Sequence, residues 1–308
     1  MQKTDDFDMV IILGAARSGT TMLSNLLRTP ENVVYIGEPK YFWETRNANH
    51  GHDMLLPKHL NPQIRQIIRS KFSDYLDRHG GEVLLEKTPS NALRFEFVYN
   101  VFPNAKFIHI IRDGRNVVPS AMKRWCGQHS TTEKRYHHPK SSIKGNTKGK
   151  IRQKVNRREF RLVDIVRNLD YILPLYLNNI GWIEKSIWGP RFPGIREAFK
   201  ELELAEVCAL QWKYCVESIL QFSRSDRFKG NYFEIRYEEI VAGDDRKVRQ
   251  MFDFAGLSYT ERSEKVSEYI RSRYKPSEQR LTEEELHLIH RHCRLLLEHL
   301  GYDEPVSG

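Results

Sequence analysis

In Asp8-Met-Val-Ile-Ile-Leu-Gly14-Ala-Ala-Arg17-Ser18-Gly19-Thr20-Thr21-Met-Leu-Ser24-Asn-Leu-Leu27, three kinds of sequence follow one another without a break. Met9 to Leu13 is an uninterrupted apolar run with the length and composition of a strand buried on both faces. Gly14 ends it, and from Thr20 onward Met22, Leu23, Leu26 and Leu27 recur at helical spacing. A strand, a glycine-bracketed loop and a helix together aim free backbone N–H groups and a helix N-terminus at one place, which suits a phosphate. Arg17, inside the loop, adds a planar fork able to grip an oxyanion at two points.

The spacing from Gly14 to Gly19 is that of a nucleotide-binding P-loop, but Thr20 occupies the position that should carry Lys. The loop is therefore expected to hold a phosphate-like group without the usual clamp on the β- and γ-phosphates of ATP. A second anchor is Asn104-Ala-Lys-Phe-Ile-His-Ile-Ile-Arg112-Asp113-Gly114-Arg115-Asn-Val-Val-Pro-Ser120-Ala-Met-Lys-Arg124, again strand, turn and helix. Arg112 falls at the strand's carboxyl end, while Ser120 and Arg124 lie four apart on one helical face.

This pair of motifs resembles the sulfotransferase family that uses 3′-phosphoadenylyl sulfate (PAPS). The likeness continues through Leu85-Glu-Lys87-Thr-Pro89, Pro103-Asn-Ala-Lys106, Ile235-Arg-Tyr237-Glu238-Glu-Ile-Val241, Phe252-Asp-Phe-Ala-Gly256-Leu257 and Leu300-Gly-Tyr302. It covers most of the chain outside roughly 125 to 200. The resemblance implies an α/β fold: a three-layer parallel sheet flanked by helices, P-loop NTPase-like, with a basic insert. It also implies that the first loop holds the 5′-phosphosulfate, with Ser18, Gly19, Thr20 and Thr21 as backbone and hydroxyl donors and Arg17 as a cation. The 3′-phosphate would fall to Arg112 and to Ser120, eight positions later, with Arg124 and Tyr237 at further matching positions. Arg271, Arg273 and Lys275 resemble a late basic loop that closes over the nucleotide in some relatives.

Sulfuryl transfer needs a base for the acceptor proton and cations for the charge that builds on the bridging oxygen. Glu38, at the end of the run Val33-Val-Tyr-Ile-Gly37, is the candidate base, since a Glu in this Gly-Glu context serves so in tyrosylprotein and several glycan sulfotransferases. Lys87 occupies the place of a Lys that the family brings to the bridging oxygen, and Arg17 is the second cation. Ordinary readings compete: a solvated Glu38, or a Lys87 that simply ion-pairs with Glu86 or Glu38. Asp113 and Arg115 are expected to fix a turn by pairing with each other, and His109 to be a buried, hydrogen-bonded core residue. The resemblance implies PAPS as the donor and adenosine 3′,5′-bisphosphate (PAP) as the product, and no metal is implied because the leaving group is already a phosphate.

At 308 residues the chain can bury a full core, and 40% hydrophobic with 29% charged residues is ordinary for a globular protein. One domain over 1–308 is expected, with a basic insert or lid at about 126–160. The net charge of +9 is concentrated: Thr131 to Arg161 holds eleven Lys/Arg against two acids, and the remainder balances. Such a segment beside an active-site mouth would steer a polyanionic acceptor, here an acidic glycan; a solubilising loop is the plainer reading. Four scattered cysteines without zinc-ligand spacing point to reduced thiols. No apolar run approaches a membrane span, and the first strand begins too early for a signal peptide, so a cytoplasmic location is expected, or the Golgi lumen if an N-terminal anchor has been removed. Tyrosine in a peptide, a lipid or a small phenol are the alternative acceptors. A P-loop kinase lacks its Lys, and a nucleic-acid-binding module would leave both phosphate loops without a use and shows no such motif. The sequence is silent on oligomeric state.

Overall fold

The computed structural model describes residues 7–47, 51–126, 187–274 and 281–302. Most of the basic insert, the expected helix from Leu162 to Leu177, His137, His138, Trp182 and Lys275 lie outside them. Five strands, β1 (Asp8–Leu13), β2 (Val33–Gly37), β3 (Val83–Lys87), β4 (Lys106–Ile111) and β5 (Asn231–Arg236), form one sheet in the order β2-β3-β1-β4-β5, parallel throughout. The α/β layering expected from the sequence is therefore present.

Both faces of the sheet are covered, and the pleat divides each strand between them. In β1, Met9, Ile11 and Leu13 enter one core with α2 (Lys40–Trp43), α3 (Pro62–His79), α4 (Phe95–Val101), α5 (Gly114–Trp125) and the long helix Leu204–Ser223. Val10 and Ile12 enter the other, against α1 (Thr20–Leu27) and the helices Tyr237–Ala242, Asp245–Ala255 and Glu261–Arg273. This two-sided burial is why β1 reads as a continuous apolar run rather than an alternating one. β1 pairs with β3 on one side and β4 on the other, so the strand order reverses there, and ligands of open parallel sheets bind at the carboxyl ends of strands at such a point.

Lys87 is the last residue of β3. A 3₁₀ turn, Pro89–Arg94, precedes α4. Asn91 and Arg94 are buried there in a polar network, which holds the chain in the tighter turn. The late basic loop is largely a helix end: Arg271 and Arg273 belong to the last turn of Glu261–Arg273.

Candidate active site

β1 delivers the chain to Gly14, where an added Cβ would lie 2.8 Å from the Ile110 carbonyl oxygen, so β4 passes too close for any other residue. The loop then turns through Arg17, whose φ of 73° is left-handed, and Gly19, whose φ of 95° forms the N-cap of α1. That cap contributes no side-chain acceptor and the first turn of α1 contains no acid, so its leading amides face the loop unopposed. Ser18 is 1% exposed, and its Oγ has no hydrogen-bond partner among the described residues. A buried hydroxyl left unpaired costs free energy unless a ligand completes it.

β4 delivers Arg112 to the same place. Its Nη1 donates to the Arg17 carbonyl at 3.3 Å, its guanidinium stacks 4.0 Å from the centre of the Tyr237 ring, and its buried Nε has no partner among the described residues. Arg17 Nε donates to Ser120 Oγ at 3.0 Å, joining the first loop to α5. Burial, then the charges of Arg124 and Arg112, lowers the proton affinity of Arg17. Three guanidiniums thus converge, and among the described residues no carboxylate pairs with any of them. Such a gathering of like charge is favourable only with an anion present. Arg273 ends exposed on its helix, while Arg271 is tied to Asp245. Tyr274, which sequence reasoning missed, acts electrostatically on both Arg17 and Tyr237, placing this helix end beside the loop.

At the neighbouring strand ends, Glu38 and Lys87 meet. Lys87 Nζ lies 2.7 Å from Glu38 Oε1, with the lysine side chain 5% exposed and the glutamate 59%. Pairing of β2 with β3 continues one residue beyond the strand, since Glu38 N donates to the Lys87 carbonyl at 2.8 Å, and the backbone then swings into left-handed φ at 56°. The structure therefore brings Arg17, Ser18, Gly19, Arg112, Ser120, Arg124 and Tyr237 to one locus, and Glu38 with Lys87 to an adjacent one.

Residues 9–157 match the model of the sulfotransferase family, a span that contains both loops and the Glu38–Lys87 couple. Over that span, just under half of its length, the chain is similar to this family. It is an enzyme of the sulfotransferase class. No curated protein matches the sulfotransferase by sequence. Among solved structures it is similar to the sulfotransferase domain from the curacin biosynthetic pathway, at 14% identity and a TM-score of 0.49, over 97% of this chain and 99% of that one. The sulfotransferase domain of the Synechococcus PCC 7002 olefin synthase gives 15%, 0.47 and 99% of each chain. Mouse SULT7A1, solved with PAP, gives 12% and 0.45 over 97% of this chain and 92% of that one.

Two polar clamps hold the sulfotransferase's loops in place. Asp113 caps α5 by accepting from Arg115 N at 2.8 Å and receives the Arg115 guanidinium at 2.7 Å; its own N–H donates to Glu238, which also accepts from the Tyr302 hydroxyl. This is the turn-fixing pair expected from the sequence. Trp212 Nε1 donates to the Arg112 carbonyl at 3.0 Å and braces the same corner. Behind Lys87, on the opposite face, Glu86 is fully buried and accepts from Trp43 Nε1, the Thr88 hydroxyl and Asn91 Nδ2. Burial pushes its carboxyl up to about 7, against the pull of Thr88 and Trp43. The network runs on through Arg94, Glu44 and Lys40 to Asp53, whose Oδ1 is 2.7 Å from Lys40 Nζ and 3.1 Å from Arg191. Burial alone would raise the Asp53 carboxyl, but Lys40 and Arg191 overcome it and hold it well below the usual range. The segment following Glu38 is thereby pinned at both ends.

Gly19→Ala tests the loop. Its Cβ would lie 2.7 Å from Tyr237 Cδ2 on a backbone with φ of 95°. We expect a loss of about 1–3 kcal/mol of stability, read as a lowered Tm. His109 is fully buried, with Nδ1 2.6 Å from the Tyr232 hydroxyl, and burial lowers its proton affinity to a pKa of about 3; it is a core residue, as expected. The four cysteines are all free thiols.

Proposed function

We propose that this sulfotransferase moves the sulfuryl group of PAPS to an acceptor hydroxyl by in-line displacement. The observation that carries the reading is the convergence of Arg17, Arg112 and Arg124, without a carboxylate, beside an uncapped helix start. In this reading Arg17, the loop amides and the Ser18 hydroxyl hold the 5′-phosphosulfate, while Arg112, Ser120 and Arg124 hold the 3′-phosphate and Tyr237 backs the Arg112 guanidinium. Thr20 and Thr21 add hydroxyls at the first turn of α1, and Arg273 approaches from its helix end. The acceptor oxygen attacks sulfur as the bond to the phosphate oxygen breaks, and the acceptor proton passes to Glu38. Arg17 and Lys87 stabilise the charge developing on the departing phosphate. Lys87 must exchange its bond to Glu38 for the donor's bridging oxygen, which leaves the Glu38 carboxylate free to accept the proton. A glycan hydroxyl is the acceptor class proposed, in one domain over 1–308 whose basic segment approaches acidic acceptors.

Thermal stabilisation tests the donor half. A ligand that binds only the folded state at 100 times its Kd adds about 2.7 kcal/mol. PAP is expected to raise Tm by several degrees, with AMP, ADP and Mg-ATP giving less. A shift with Mg-ATP alone, or with none of them, would overturn the reading.

A further inference from the structure

Tyr35 carries an observation that the mechanism above does not use. Successive side chains of a strand alternate between faces. Tyr35 therefore shares with Leu85 and Lys87 the sheet face covered by α1, whereas Ile36 and Glu86 point to the other. Gly37, two residues on, stands directly opposite Lys87 in the β2–β3 register. With no side chain there, the Tyr35 ring extends along the strand: its hydroxyl is 2.7 Å, and its Cζ 3.1 Å, from where a Gly37 Cβ would be. The Gly37 backbone has no left-handed φ, so it is the ring, not conformation, that excludes a side chain at this position. Arg28 lies over the ring, its Cζ 5.2 Å from the centroid. Tyr75 donates to the Tyr35 carbonyl, leaving the phenol hydroxyl itself with no partner among the described residues. The half-buried ring thus ends with its hydroxyl over Gly37 at the carboxyl end of β2, one residue from Glu38 and across from Lys87.

We propose that Tyr35 donates a hydrogen bond to an oxygen of the donor's sulfuryl group, as a third contact beside Arg17 and Lys87. The face it shares with Lys87 and α1 is the donor's side of the sheet edge, which makes the sulfuryl group the partner rather than the acceptor. The inference rests on the donor reading and is separable from it. PAP lacks the sulfuryl group and PAPS carries it, so the affinity ratio of the two isolates the contact without knowledge of the acceptor. Tyr35→Phe removes only the oxygen and keeps the ring under Arg28. It is expected to weaken PAPS by about tenfold, the size of one hydrogen bond to a charged group, while PAP affinity and Tm stay within error. Gly37→Ala, with a methyl pressing on the flexible end of that ring, should move PAPS affinity in the same direction. Titration calorimetry at low temperature without acceptor measures both ligands. If PAP fails to bind the unaltered protein, the donor reading falls. If PAP binds and Tyr35→Phe leaves the PAPS-to-PAP ratio unchanged, this proposal alone falls. Equal weakening of both ligands would also overturn it, because it would make Tyr35 a structural support of the whole donor site.

Discussion

Glu38→Gln is expected to lower turnover by about 10²- to 10⁴-fold while the thermal shift given by PAP stays intact. The substitution keeps the length and most of the shape of the side chain and removes its capacity to hold a proton. Glu38 meets the rest of the protein through Lys87 and through its own backbone, with the side chain 59% exposed, so the fold has little to lose. The assay is single-turnover transfer from labelled PAPS beside a PAP titration of the same preparation. Loss of PAP affinity in step with turnover would show that Glu38 shapes the donor site instead. Unchanged turnover would remove it as the base and leave Lys87–Glu38 as an ion pair at a strand end.

Arg112→Ala should abolish the preference for PAP over AMP. These ligands differ by one phosphate, the group assigned to Arg112 and Ser120. Charge-assisted hydrogen bonds to a phosphate contribute about 1.5–3 kcal/mol each, so a loss of about 10- to 100-fold in PAP affinity is expected with AMP affinity nearly unmoved. The arrangement allows a clean reading, because among the described residues Arg112 holds no carboxylate that its removal would strand. Its carbonyl, braced by Trp212, remains in place. A fall in PAP and AMP affinity together would instead assign Arg112 to the 5′ end, through its contact with the Arg17 carbonyl.

The central strands β1, β3 and β4 were legible because burial on both faces leaves them little need to alternate, so each reads as a short, largely apolar block between turn residues. The helix Glu261–Arg273 was not. Its buried residues are Ser263, Ser267 and Ile270, and it approaches the end of α1 through a 2.6 Å contact between Ser263 and Thr29 hydroxyls. A packing face made of serines gives no apolar periodicity, and so Arg271 and Arg273 read as a loop. The candidate site divides in the same way. Arg17, Arg112 and Ser120 could be found from the resemblance, since each motif is one strand, one turn and one helix in sequence. That Lys87 reaches Glu38 depends on β3 lying between β1 and β2, a long-range fact of sheet order. Trp212 and Tyr274 come from elements distant in sequence and carry no local signature, and only the absence of a side chain at Gly37 hints at the Tyr35 ring.

Three non-glycine residues have positive φ, and two of them are Arg17 and Glu38, at 73° and 56°. Each such conformation costs of order 1 kcal/mol that a glycine or asparagine would largely avoid. A library of variants screened for heat resistance alone would therefore drift toward Gly or Asn at both positions, and under the proposed mechanism its most durable members would be inert. If that mechanism holds, selection for durability has to keep positions 17 and 38 fixed and look for its gains elsewhere.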